Sequence, residues 1–106
     1  MPELLRGKSD PAVKQIKDVL SQYEAEHAGA KAALYRRNSA SVRIRIIDPS
    51  FSGRSIGERS EQAWLYLRKL PEAVRDDISV LLLLPPEEAA TSFANVEFEN
   101  PLPSRL

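Results

Sequence analysis

From Ser41 to Ile47 the chain alternates. Val42, Ile44 and Ile46 fall on one side of an extended backbone, and Arg43 and Arg45 fall on the other. Only a period of two gathers those apolar residues on one face, so the stretch reads as a strand with a core face and a basic face. Asp48-Pro49 stops it, because proline has no N–H to give to a ladder. Lys31 to Arg37 reads as its partner across the turn Asn38-Ser39-Ala40. A lone hairpin is marginal in water, so the rest of the chain must cover its apolar face.

The cover is legible on both sides. Asp10 is placed to cap a helix with Pro11 at its first position. Val13, Ile16, Leu20, Tyr23 and His27 then fall on one helical stripe, which Gly29 terminates. Downstream, Ser55 and Glu58 match a capping box, followed by Ala63, Trp64, Leu67 and Leu70 at helical spacing as far as Pro71. Pro71 to Asp77 has room for one further turn. Ile78 to Leu84 is apolar throughout and bounded by Asp77 and Pro85, the pattern of a strand buried on both faces. A helical connection to the hairpin makes it parallel to its neighbour through a right-handed crossover. Pro86 to Ala90 suits a short last helix.

The expected architecture is therefore α+β: two layers in the order α-β-β-α-β-α, a three-stranded mixed sheet, and helices on one face. Residues 10–92 form the domain and residues 1–9 a flexible N-terminus. Residues 93–106 form an irregular tail with Pro101 and Pro103, which docks because Phe93, Val96 and Phe98 are too apolar to hang free.

Composition excludes more than it suggests. With 42% hydrophobic and 28% charged residues the chain is an ordinary globular one. It has no cysteine and one histidine, which removes disulfides, thiolate chemistry and multi-histidine metal sites. Its longest apolar run is far below the roughly 20 residues of a membrane span, and the first residues lack a signal peptide's apolar stretch. The expected location is the cytoplasm. Asp76-Asp77 and Glu87-Glu88 are adjacent pairs, which do not converge on one substrate, and Ser50, Ser52, Ser55 and Ser60 have no partner base. His27 reads as a helix-end residue near the dipole.

A net charge of zero hides a pattern. Residues 31–69 carry nine cationic side chains against Asp48, Glu58 and Glu61, a balance of +6, and residues 70–106 carry seven acids against Arg75 and Arg105, a balance of −5. Either the basic segment forms a face for an anionic partner, or the two segments lie together and neutralise each other. Likewise the turn from Gly53 to Gly57, with Arg54 and Arg59, reads either as an anion site or as a capped helix start.

Phe51-Ser52-Gly53-Arg54-Ser55, with Glu58-Arg59 after it, resembles the signature of the BolA family. That signature is a strand, a serine or aspartate turn, F-x-G-x-S, a three-residue step, then Arg-His at the start of a long helix. Phe51, Gly53, Ser55 and Arg59 stand at matching positions, and Leu67 matches a later leucine. Ile78 to Leu84 followed by Pro86-Glu87-Glu88 is similar to the family's last strand and its T-P-E-E ending. The resemblance covers roughly residues 11–90 and implies a class II KH-like fold with the element order derived above. Both family histidines are replaced. Ser60 follows the signature arginine, and Asp77 stands at or near the second histidine, an iron–sulfur ligand in the family's partnership with monothiol glutaredoxins. Serine and a lone aspartate are poor substitutes for imidazole at such a cluster, so no cofactor is expected.

The resemblance implies a non-enzymatic protein-interaction or regulatory adaptor, with its contact surface at Arg54, Arg59, Ser60 and Asp77. A different class of function remains open. Arg36, Arg37, Arg43 and Arg45 would contact phosphates, and Tyr35 would stack on an unpaired base, in a small nucleic-acid-binding module. A third, weaker alternative is an iron–sulfur partnership with a monothiol glutaredoxin. Oligomeric state is not legible.

Overall fold

The local signals become local structure where they were read. The computed structural model describes residues 1–101. Helix α1, Pro11–Glu26, starts on Asp10, whose side chain accepts from the Val13 N–H at 2.9 Å. Its buried residues are Val13, Ile16, Leu20 and Tyr23. Gly29 takes a φ of +82°, and a Cβ there would lie 3.2 Å from the Pro49 ring, so the turn needs glycine twice over.

Strand β2 (Lys31–Asn38) pairs antiparallel with β3 (Ser41–Ile47), and β3 pairs parallel with β4 (Ile78–Leu84). Between β3 and β4 lie a 3-10 turn (Pro49–Phe51), helix α2 (Ile56–Leu67) and the short helix α3 (Glu72–Arg75). The Ser55–Glu58 capping box closes in both directions. The core lies between α1 and α2 on one side and Ala32, Leu34, Val42, Ile44, Ile46 and Leu83 of the sheet on the other. The α+β class is as expected.

Several features differ from the expectation. Among the described residues the sheet has four strands, not three, and the added one lies beside β2 at the edge opposite β4. Strand β1 is Glu3–Leu4, parallel to β2, within the segment expected to be a flexible N-terminus. Two residues leave no side-chain pattern to read; backbone pairing with β2 and the packing of half-buried Leu4 on the core hold them. Helices also cover both faces. After α4 (Pro86–Ala89), residues Phe93–Glu99 form helix α5, where an irregular tail was expected, and it crosses the face opposite α1 and α2. Ser92 caps it by accepting from the Asn95 N–H. Of the three residues expected to dock, only Phe98 is buried; Phe93 is 92% exposed and Val96 59%. Residues 102–106, the end of that tail, lie outside the described residues.

A further difference concerns β4. It is an edge strand, and Ile78 and Val80 to Leu82 are only half-buried. An apolar run reads the same at the centre of a sheet as at an edge, since position depends on partners elsewhere in the chain.

Candidate interaction surfaces

The turn before α2 is built for the helix start. The Asp48 carboxylate accepts from the Ser50 N–H at 2.8 Å, and Phe51 is fully buried beneath the turn. Gly53 has a φ of +76° with open space where a Cβ would stand, so its glycine answers to backbone conformation. The N–H groups of Ser55 and Glu58 are spent on the capping box, and those bonds to Ser55 hold the Glu58 carboxyl below its ordinary pKa. That exhausts much of what an anion would use there.

The four residues singled out for partner contact do not form one patch. Arg54 is exposed and donates to Gln62 at 2.9 Å. Ser60 is half-buried in a groove of about 340 Å³ between α2 and the edge of β4, with Ile56, Trp64 and Leu82. Trp64 is partly open there, packing against the core from its margin. Arg59 is buried. Its Nε donates to the Arg54 carbonyl at 3.0 Å, Nη1 to the Leu83 carbonyl at 3.1 Å, and Nη2 to Glu88 at 2.7 Å. The guanidinium thereby ties α2 to β4 and α4, and it holds the Glu88 carboxyl below its ordinary value.

Asp77 lies at the other end of β4, some six residues or about 20 Å of strand from Leu83. It accepts from Arg36 at 3.0 Å, and Arg36 also pairs with Asp10. That hydrogen bond from Arg36 lowers the Asp10 pKa. Ser60 and Asp77 therefore do not converge as iron ligands, and Asp77 faces a guanidinium. Among the described residues no group of three or more His, Cys, Asp or Glu is placed to hold a metal ion. His27 is stacked on Tyr23, ring centroids 3.9 Å apart, with its Nδ1 donating to the Tyr23 carbonyl.

The hairpin cations are engaged within the fold. Tyr35 shares a face with Arg43, which donates to its hydroxyl at 3.2 Å. Arg43 pairs with Glu97 at 2.9 Å and Arg45 with Glu99 at 2.6 Å, both acids belonging to α5. Arg36 belongs to the Asp10–Asp77 network, and Arg37 is half-buried and likewise engaged. The basic and acidic segments thus lie together, through Arg36–Asp77, Arg43–Glu97, Arg45–Glu99 and Arg59–Glu88.

Sequence reasoning missed Asp48. Read only as a strand stop, it is 1% exposed and accepts from the Tyr23 hydroxyl at 2.5 Å, while Gln62 donates to that hydroxyl at 2.8 Å. Burial, with the Asp48 hydrogen bond, pushes the Tyr23 pKa well above its ordinary value. No motif marks a contact between residues 25 apart.

Comparison of the chain with protein families, curated proteins and solved structures returned no match. Among the described residues no helix is long and apolar enough to cross a membrane.

Proposed function

We propose that this chain is a non-enzymatic, BolA-like adaptor domain that binds a partner protein along the start of α2 and the outer edge of β4. The observation that carries the reading is that edge. Seven residues without a charge form an edge that no further strand among the described residues pairs, its Leu83 carbonyl taken by Arg59, with half-buried Leu81 and Leu82 beside an Ile56 that is 81% exposed. Open apolar edges of this kind accept an added strand from a partner, and main-chain pairing with adjacent side-chain pockets gives affinity and specificity. The order helix, hairpin, helix, short helix, strand, with β3 and β4 parallel, supports the family likeness. Arg54 and Ser60 contribute at the surface, and Arg59 acts by holding the edge in place.

The test is affinity capture from cells that naturally make the chain, comparing the wild type with a variant carrying Ile56→Glu and Arg54→Glu. Both side chains are exposed, so folding is preserved. Loss of roughly 90% of one captured protein supports the reading, the scale expected for a residue at the heart of an interface. Equal capture of every protein by both forms refutes it.

A further inference from the structure

The sheet face opposite α1 and α2 has the makings of a binding site with an occupant already in it. Strands β2, β3 and β4 contain no acidic residue, and Arg43 and Arg45 stand on that face with Tyr35. The acids that Arg43 and Arg45 pair with there, Glu97 and Glu99, come from α5. Between those acids Phe98 is buried against Tyr35, ring centroids 5.0 Å apart, with the Arg45 guanidinium 5.2 Å from its centroid.

Helix α5 is seated as a ligand is seated. The main core takes none of its buried residues from α5. Its Phe93 and Val96 are exposed, and Glu97 and Glu99 keep about half their side-chain surface in water. The fit is also incomplete, because the Nε atoms of Arg43 and Arg45 are buried without a hydrogen-bond partner among the described residues. A better-matched carboxylate would take them in the two-pronged geometry that guanidinium groups favour.

We infer that this face is a docking site for an acidic helix of another protein carrying a phenylalanine between two carboxylates, and that α5 holds the site closed in cis. Charge complementarity selects the occupant, and the cis helix displays the pattern. Tethering gives α5 a high effective concentration, so a free helix competes poorly until α5 is loosened.

The probe is a fluorescein-labelled peptide with the sequence of residues 92–100, titrated by anisotropy into full-length protein. The loosened form carries Glu97→Gln, Phe98→Ser and Glu99→Gln. The peptide is expected to bind it at least roughly tenfold tighter than the wild type, as release of a closed state requires. Adding Arg43→Gln and Arg45→Gln, or replacing the peptide's own two glutamates by glutamine, should abolish that gain. Equal binding to both forms, or none to either, overturns the inference. So does a loosened form that binds an oligothymidylate and not the peptide, which would make the face a nucleic-acid site. If the triple variant unfolds, Glu97→Gln with Glu99→Gln, which keeps Phe98, carries the comparison. Unfolding of both forms overturns the inference, since α5 would then belong to the fold itself.

Discussion

Replacing Arg59 by alanine tests whether it is a structural tie. The side chain is 7% exposed, and its charged donors reach two backbone carbonyls, Arg54 and Leu83, at 3.0 and 3.1 Å. Hydrogen bonds from a charged group are worth about 1.5–3 kcal/mol each, and removing a donor leaves a carbonyl to be resolvated. The Leu83 carbonyl is close to the sheet edge, where water can replace part of what is lost. Leaving aside the ion pair to the exposed Glu88, the expected destabilisation is about 2 kcal/mol. For a chain of this size that lowers the melting temperature by roughly 8–16 °C. Arg59→Lys should fall between the two, because an ammonium cannot span three acceptors in one plane. Thermal unfolding followed by circular dichroism reads the shift. A variant that melts with the wild type would refute the tie.

Two further outcomes follow from the same geometry. Gly29→Ala forces a side chain into a left-handed backbone against the Pro49 ring and should cost about 1–2 kcal/mol in urea unfolding. Asp10 has a lowered pKa when folded, so its contribution is present above the ordinary carboxyl range and is lost as pH falls through the folded value. Asp10→Asn keeps a helix cap but removes the charge that faces Arg36, so its urea midpoint should fall less steeply than the wild type's below about pH 4.

How much was legible depended on how local the cause was. The β2–β3 hairpin, the start of α1 and the Ser55–Glu58 box rest on neighbours within a few residues, and each stands where the sequence placed it. Strand β1 depends on backbone pairing with residues 30 positions away. Helix α5 has seven residues, too few for a 3.6-residue period to emerge, and one buried side chain. The surfaces were harder still. An arginine at a motif position looks the same in sequence whether it meets a partner or, like Arg59, satisfies the carbonyl of Leu83. Arg43 and Arg45 read as a basic face until the acids of α5, about 50 residues on, are set against them.

Arg6 donates to the backbone carbonyl of Glu99, 93 residues away, and Leu5 packs beside Phe98. Contacts of that span close a loop of most of the chain, so they form after the hairpin and the β3–α2–β4 crossover have shortened the search. Strand β1 and α5 are accordingly the last pieces to be laid down and the first to fray. They fray together, because each is the other's anchor. Strand β1 and α5 thus behave as a single clasp, whose opening bares one side of the sheet and takes only half-buried Leu4 from the margin of the main core.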